Sequence, residues 1–203
     1  MARKLIVLAL ALGLGLAMTA IAGAGWFNVI RGTRGDDVLT GTEHRDLILA
    51  FGGNDQVAAA GAGDIVYAGR GNDSVDGGAG FDRLFGGAGD DTLSAGDGRS
   101  VVWGGVGNDT ITGGTGRNRL HGGMGDDSVT GGPLRDWLWV GPGTDTENGG
   151  DGNDVLHALA ADGQVDTLDC GPGDHDVAYL RAGENDVTLN CEVVKTLSIG
   201  SDG

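Results

Sequence analysis

Apolar residues recur along this chain every nine positions, between stretches rich in glycine and polar residues. Stepping by nine from Leu39 meets only Leu, Ile or Val for twelve positions: Leu39, Ile48, Val57, Val66, Val75, Leu84, Leu93, Val102, Ile111, Leu120, Val129 and Leu138. The next step lands on Glu147, and the register recovers at Leu156 and Val165. A single apolar position between polar neighbours predicts a short strand with one inward side chain. The pattern therefore predicts a β-solenoid with a narrow aliphatic core.

A second period accompanies the first, because an acidic or amide residue usually stands two positions before each apolar one. These residues are Asp37, Asp46, Asp55, Asp64, Asp73, Asp82, Asp91, Ser100, Asp109, Asn118, Asp127, Asp136, Asp145 and Asp154. Glycine-rich segments precede many of them, as in GGAGDD (86–91) and GGVGND (104–109). Calcium prefers carboxylate and carbonyl oxygens, and glycine lets main-chain carbonyls turn toward one point. The spacing therefore predicts rows of cation sites.

The repeats resemble the GGxGxDxUx nonapeptide of the hemolysin-type (RTX) calcium-binding proteins over residues 32–156. The resemblance implies an all-β fold, a right-handed parallel β-roll in which each nonapeptide forms one turn and one short strand. Two nonapeptides complete a coil, and calcium lies between turns of the same edge, which are two repeats apart. The resemblance also implies several bound Ca2+ ions, with folding and ion binding forming one equilibrium.

Alternate repeats fall on opposite sides of such a coil, so the turns form two edges. The first edge carries Asp37, Asp55, Asp73, Asp91, Asp109, Asp127 and Asp145; the second carries Asp46, Asp64, Asp82, Ser100, Asn118, Asp136 and Asp154. We expect metal ligands at all seven first-edge aspartates and at Gly86, Gly104, Gly122, Asp64 and Asp82. The gaps bounded by Asp73, Asp91, Asp109 and Asp127 are the strongest candidates. Calcium should be weak or absent on the second edge between Asp82 and Asp136.

Arginine replaces the usual acidic or amide residue just before several second-edge positions, at Arg45, Arg99, Arg117 and Arg135. One hypothesis is that Arg99, Arg117 and Arg135 replace cations by donating to loop carbonyls and neighbouring acids. The alternative is that these side chains point into solvent.

The outward strand positions that follow the second edge are rich in aromatic residues. Tyr67, Phe85, Trp103, His121 and Trp139 occupy one column, in which rings should stack about 4.8 Å apart. An exposed face of this kind marks a candidate interface, for a homodimer or for a glycan or cell-surface ligand. Two alternatives are that another segment of the chain covers this face, or that the aromatic residues are there only because they are favoured in β-strands.

Residues 1–24 read as a secretory signal peptide, because Arg3 and Lys4 precede an apolar run that ends in small residues near Ala22. An uncleaved membrane anchor is the alternative. After cleavage we expect a secreted, extracellular chain without a membrane span. It would consist of an RTX-type roll at 25–165 and a C-terminal cap of further coils at 166–203. Cys170 and Cys191 are expected to form a disulfide that staples the cap.

Composition narrows the choice of function. The chain has 43 glycines among 203 residues, which argues against a helical core, and its net charge of -16 disfavours nucleic acid and anionic membranes as partners. No histidine stands beside a recognisable nucleophile, and zinc-site spacing is absent from the sequence. We therefore predict a secreted calcium-binding module without catalysis, ordered by extracellular Ca2+. The alternative is an adhesin-like module that binds carbohydrate or a cell surface through its aromatic face.

Overall fold

The computed structural model describes residues 18–19 and 27–198. Within them the regular elements are twenty short strands, and helix is absent. The predicted signal segment, apart from Met18–Thr19, lies outside the described residues. The described part of the chain also contains no helix that is both long and apolar enough to cross a membrane.

The strands form two parallel ten-stranded sheets that alternate along the chain. Sheet A contains β1 (Met18–Thr19), β3 (Val38–Thr40), β5 (Gln56–Ala58), β7 (Ser74–Asp76), β9 (Thr92–Ser94), β11 (Thr110–Thr112), β13 (Ser128–Gly132), β15 (Thr146–Gly150), β17 (Thr167–Asp169) and β19 (Val187–Leu189). Sheet B contains β2 (Asn28–Arg31), β4 (Asp46–Gly52), β6 (Ile65–Arg70), β8 (Arg83–Ala88), β10 (Val101–Val106), β12 (Arg119–Met124), β14 (Trp137–Val140), β16 (Val155–Ala158), β18 (Val177–Arg181) and β20 (Val193–Leu197). The parallel β-roll expected from the repeats is confirmed.

Neighbouring strands of each sheet pair in a register of two repeats through the body of the roll. Ile111 lies beside Leu93 and Val129 in sheet A, and Leu120 lies beside Val102 and Leu138 in sheet B. Most strands contribute one large inward residue, in some cases beside a small one such as Ala50 or Ala68, and the twelve predicted apolar positions are all buried. Because the core is only one side chain deep on each sheet, every coil depends on its neighbours for burial.

The register shifts where the repeat ends. Glu147 keeps its place in sheet A beside Val129, but its next partner is Leu168, and Val165 is 42 % exposed. In sheet B, Leu156 pairs with Ala178, so Val177 points outward. The sequence-based prediction of an inward Val165 was therefore wrong. The longer segment between β16 and β17 moves Leu168 into the core in its place.

The C-terminal coils are joined by the predicted disulfide between Cys170 and Cys191. Cys170 follows β17 and Cys191 follows β19, which are neighbouring strands of sheet A. Cys170 is fully buried against the core. The crosslink therefore ties the last coil to the one before it.

Candidate metal sites

The aspartates of the first edge form a hydrogen-bonded ladder. Oδ1 of Asp91 accepts the backbone N–H of Asp73, and Oδ1 of Asp109 accepts that of Asp91, both at 2.8 Å. The same bond recurs from Asp37 to Asp186. Each carboxylate therefore holds its own coil against the preceding one, and the predicted first-edge residues lie in one line.

The second edge carries an equivalent ladder, although two of its residues are uncharged. Asp82 donates its backbone N–H to Ser100 Oγ at 3.2 Å, and Ser100 donates its own to Asn118 Oδ1 at 3.0 Å. Asn118 in turn donates its N–H to Asp136 Oδ1. Stacking of the coils therefore needs an acceptor at this position but no carboxylate.

Most ladder carboxylates use only one oxygen, the exceptions being Asp37 and Asp46, whose Oδ2 atoms accept hydrogen bonds from Thr33 and Thr42. Within residues 27–198 the second oxygen, Oδ2, is buried without a hydrogen-bond partner in Asp55, Asp73, Asp91, Asp109, Asp127 and Asp145 on the first edge, and in Asp64, Asp82, Asp136, Asp154 and Asp176 on the second. A buried carboxylate oxygen with no partner costs roughly 1–3 kcal/mol or more. A row of such atoms is therefore incomplete without a cation.

Glycine keeps open the space toward which these oxygens point. A Cβ added to Gly104 would overlap Asp109 Oδ2 and lie 2.5 Å from the carbonyl oxygen of Gly122. Added to Gly86, it would overlap Asp91 Oδ2 and lie 2.7 Å from the carbonyl oxygen of Gly104. A Cβ on Gly122 would likewise overlap Asp127 Oδ2. Carboxylate and carbonyl oxygens thus surround a cradle that any side chain would fill, and a hard divalent cation fits this donor set.

Side chains alone do not complete a coordination sphere. Among the described residues no group of three or more His, Cys, Asp and Glu side chains is close enough to hold a metal ion. Since calcium takes six to eight oxygens, most ligands here have to come from the main chain.

On the second edge the same cradle is intact at some coils and altered at others. A Cβ on Gly77 would lie 3.2 Å from Asp82 Oδ2 and 2.9 Å from the carbonyl oxygen of Ala95. Two coils further along this edge, Asn118 Nδ2 takes the place that Asp82 Oδ2 has here. It donates to the carbonyl oxygen of Gly116 at 3.0 Å. A hydrogen-bond donor therefore replaces the free carboxylate oxygen, and this coil satisfies its own carbonyl.

The first edge has a second, outer ladder that runs in the opposite sense. Asn72 Oδ1 accepts the backbone N–H of Asp90 at 3.0 Å, and Asp90 Oδ1 accepts that of Asn108 at 2.8 Å. The series extends from Asp36 to Thr144. On the second edge Gly63, Phe81 and four arginines occupy the equivalent positions and carry no such side-chain acceptor. The last of these positions holds Asn153, whose Oδ1 accepts the N–H of Asp174 at 3.2 Å. The Asn-Asp or Asp-Asp pair of a first-edge repeat thus binds both neighbouring coils.

Burial raises the pKa of the inner carboxyls, with further increases from neighbouring acids. The pKa of Asp109 rises to about 7, because burial and then the charges of Asp91 and Asp127 outweigh the backbone hydrogen bond. The pKa of Asp91 rises to about 6 and that of Asp145 to about 7 for the same reasons. On the second edge, burial raises the pKa of Asp154 to about 7. Full ionisation of either row near neutral pH therefore calls for a compensating positive charge.

Glu147 is a buried acid that the repeat pattern marks only as an exception. Its side chain is fully buried in the core column of sheet A, and within the described chain neither carboxyl oxygen has a hydrogen-bond partner. Burial raises its pKa well above the ordinary value, and the charges of Asp166 and Asp145 add to the effect. The break in the apolar series was visible in the sequence, but it does not interrupt the coil.

The acids of the cap extend both ladders. Asp145 donates its N–H to Asp166 Oδ1 at 2.9 Å, and Asp154 donates to Asp176 Oδ1 at 2.6 Å. Asp166 and Asp176 are buried. The ladder hydrogen bond thus continues into the cap, where the nine-residue spacing has ended. The sequence pattern did not predict this continuation.

The hypothesis that second-edge arginines donate to loop carbonyls is wrong for the three residues it named. Among residues 27–198, Arg99, Arg117 and Arg135 make no such hydrogen bond, and all three are exposed. Arg99 lies over the ring of Phe81 at 6.0 Å and Arg135 over that of Trp137 at 4.8 Å. Arg45, outside that set, does donate, from Nε to the carbonyl oxygen of Gly63 at 3.3 Å. Two of the three guanidinium groups therefore lie over aromatic rings and not against loop carbonyls.

The predicted aromatic column forms a continuous stack. Seven rings follow one another on sheet B at centroid distances of 4.5 to 5.6 Å and interplanar angles of 2 to 10°. They are Tyr67, Phe85, Trp103, His121, Trp139, His157 and Tyr179, so the column is two rings longer than predicted. Each inner ring has a neighbouring ring on both faces, and only its edge is left toward solvent.

The sequence matches a family model described as RTX calcium-binding nonapeptide repeat (4 copies). The matches cover residues 27–57, 49–84, 67–102, 103–138, 121–156 and 139–174, which together span most of the chain without a gap. No curated protein matches the chain.

Proposed function

Since the chain belongs to the family of RTX calcium-binding nonapeptide-repeat proteins, we propose that it is a secreted structural module whose folding is coupled to extracellular Ca2+. The observation that carries this proposal is the row of buried, unpartnered Oδ2 atoms along the first edge. Calcium would supply there the positive charge that the row lacks.

The first-edge aspartates are the proposed ligands, together with main-chain carbonyls beside Gly86, Gly104 and Gly122. Asp64 and Asp82 add two carboxylates on the second edge, where both keep a buried Oδ2. The coil at Asn118 is the weakest candidate, because its amide donates to Gly116 where a carboxylate would face the ion.

Coupling between folding and the ion follows from how the coils are built. The same carboxylate whose Oδ1 holds the preceding coil presents its Oδ2 to the cradle. Without a cation, the closing of each coil buries several acids side by side and orders a glycine-rich chain at a large entropic cost. Millimolar external calcium can offset both terms, as expected of extracellular modules of modest affinity.

Secretion is supported by two independent features. A disulfide is typical of proteins that fold outside the reducing cytosol. The N-terminal segment 1–24 has the charge and hydrophobicity pattern of a secretory signal peptide.

A structural role is favoured over catalysis by the repetition of the acids. A general acid and base need different surroundings, whereas these carboxylates share the same hydrogen bond and the same burial. The arrangement suits repeated ligation.

A calcium titration followed by far-ultraviolet circular dichroism tests the proposal. We expect a cooperative gain of β-structure with calcium, a far weaker response to magnesium at the same ionic strength, and reversal by a chelator. Magnesium serves as the control because it demands tighter octahedral geometry and sheds water reluctantly. A chain equally ordered in excess chelator would contradict the proposal.

A second candidate function is an adhesin-like interaction through the outer surface of sheet B. The continuous stack of seven rings on that surface favours it. A carbohydrate ring does not find a free aromatic face on the inner members of the stack, so sugar stacking is not the contact we propose.

A further inference from the structure

The positive charge of this acidic chain is concentrated on one surface. Of its 13 Lys and Arg residues, Arg3 and Lys4 lie outside the described residues. Five of the others project from the outer surface of sheet B: Arg31, Arg83, Arg119, Arg181 and Lys195. Four more stand in the adjoining second-edge turns, namely Arg45, Arg99, Arg117 and Arg135. Arg70 ends strand β6 of the same sheet, so of the cations in the described part of the chain only Arg34 lies elsewhere.

Among the described residues, acidic side chains are absent from the two outward columns of sheet B, which flank the core residue of each strand from β2 to β20. The adjoining second-edge turns, however, also carry acids, among them Glu43, Asp97 and Asp151. The outer surface of sheet A carries Asp76 and Asp169 but no Lys or Arg in the same part of the chain. Segregation of this kind, in a chain of net charge -16, gives one surface a field of opposite sign to the rest.

The cations on this surface are held in place by aromatic rings. Arg83 lies over the Phe81 ring at 5.0 Å, Arg119 over Trp137 at 5.7 Å, and the Lys195 ammonium over Tyr179 at 5.0 Å. The stacked rings between them present edges, which carry the positive side of the aromatic quadrupole. Both kinds of group favour an anionic or oxygen-rich ligand.

We propose that the outer surface of sheet B binds an acidic polysaccharide, extended along the axis of the roll. This inference rests on the second candidate function above and gives it a ligand class. Ten strands at about 4.8 Å spacing make a straight track of about 43 Å. Five cations spread over that length match a linear polymer with spaced charges, such as a polyuronate.

Other occupants fit less well. A second copy of the chain would set these same cations against one another, with no acid in the described columns of the surface to pair with them. Duplex DNA carries one charge per about 1.7 Å, far denser than the cations on the track. An acidic polysaccharide matches the sign of the cations, and with one charge per sugar its charge density is closer to theirs than that of DNA.

The test uses the full chain in saturating calcium, with oligogalacturonate as the probe and a neutral malto-oligosaccharide of equal length as the control ligand. We expect binding of oligogalacturonate only, measured by isothermal titration calorimetry and weakened by added salt. The double variant Arg83→Gln/Arg119→Gln should raise its Kd about tenfold, since each exposed charge contributes modestly. The control variant Arg34→Gln, away from sheet B, should leave Kd unchanged, whereas Arg83→Gln, with the same change of net charge, should weaken binding.

Four outcomes would overturn the inference: no binding of oligogalacturonate, equal binding of the neutral oligosaccharide, equal loss of affinity in Arg34→Gln and Arg83→Gln, or a doubling of mass that the sheet B variant abolishes. Equally tight binding of a short DNA duplex would replace the polysaccharide by nucleic acid. Circular dichroism on the same samples separates this inference from calcium-coupled folding, because a chain that folds with calcium but ignores oligogalacturonate refutes only the inference.

Discussion

The first and second edges of this roll share one inner hydrogen bond but differ in charge and in their outer residues. On both, a side-chain oxygen accepts the N–H of the coil before it, whether that oxygen belongs to Asp109, Ser100 or Asn118. On the first edge, six consecutive carboxylates also leave a buried oxygen free. On the second, the two central positions have no charge.

The difference separates two roles that a consensus repeat combines. Stacking of coils requires an acceptor and small residues in the turn, and the second edge retains both. Holding a cation requires a free carboxylate oxygen in addition, which Asn118 replaces by a donor to Gly116. A roll can therefore lose charge along one edge and still keep its fold, provided the other edge supplies the ion-dependent part of the stability.

The largest effect is expected when a first-edge aspartate is replaced by asparagine, the residue found at position 118 of the second edge. In Asp109→Asn, Oδ1 can still accept the N–H of Asp91, but the free oxygen is lost. We expect calcium affinity of the flanking sites to fall at least about 10-fold, because even residues that only support metal ligands contribute that much. Isothermal titration calorimetry measures the change, with Asp97→Asn, an exposed second-edge residue, as the control. Unchanged affinity in Asp109→Asn would show that Asp109 is not a ligand.

In a calcium-free sample, protonation of the buried aspartates at low pH should partly substitute for calcium in stabilising the folded chain. The folded-state pKa values of Asp91 and Asp109 rise from 3.8 to about 6 and about 7. Between pH 4 and 7 the folded chain therefore binds more protons than the unfolded chain, and its stability increases as pH falls through this window. With chelator present, thermal unfolding followed by circular dichroism should show a higher Tm at pH 5 than at pH 8. A lower Tm at pH 5 would contradict the burial of these acids, and a calcium-loaded sample provides the comparison.

The reverse exchange tests whether the second edge can regain a site. Asn118→Asp restores a carboxylate opposite Gly113, whose Cβ position lies 2.8 Å from the carbonyl oxygen of Gly131. We expect one additional bound calcium ion at saturation and a lower Tm in chelator, because one more charge is buried there. The calcium-to-protein ratio from equilibrium dialysis measures the gain. No added ion would mean that the arginines beside this edge, not Asn118, prevent binding.

The smallest expected effect concerns Glu147, which lies in the core column of sheet A and not among the proposed ligands of either edge. Replacing it with leucine removes two unpartnered buried oxygens and restores the apolar series. Glu147→Leu should stabilise the folded chain by about 1–3 kcal/mol, measured by urea unfolding in calcium. Glu147→Gln is the control, since it keeps the polar group but removes the charge. Destabilisation by leucine would indicate an unrecognised partner for the carboxyl.

Much of the fold could be predicted from sequence because a nine-residue period fixes both strand and turn. Residues such as Ile111 and Leu120 lie inside as their spacing requires, and the two cysteines form the predicted disulfide. The alignment of the first-edge aspartates follows directly from a coil of two repeats.

The parts that sequence reasoning missed depend on local competition. The strict period predicted Val165 inside, whereas a longer loop places Val165 at the surface and Leu168 in the core. The period also could not show that Arg99 and Arg135 would lie over the rings of Phe81 and Trp137 and make no hydrogen bond to loop carbonyls of the described chain. The stacking of the aromatic column was predicted, but its extension to His157 and Tyr179 was not.

The bond between Cys170 and Cys191 makes the two ends of the molecule unequal. At the C-terminal end, the last coil cannot drift from its neighbour even after every ion has left. Loss of order should consequently start at the N-terminal coils and advance in one direction. A roll fastened at one end in this way keeps a template beside which the remaining coils can wind again when the ions return.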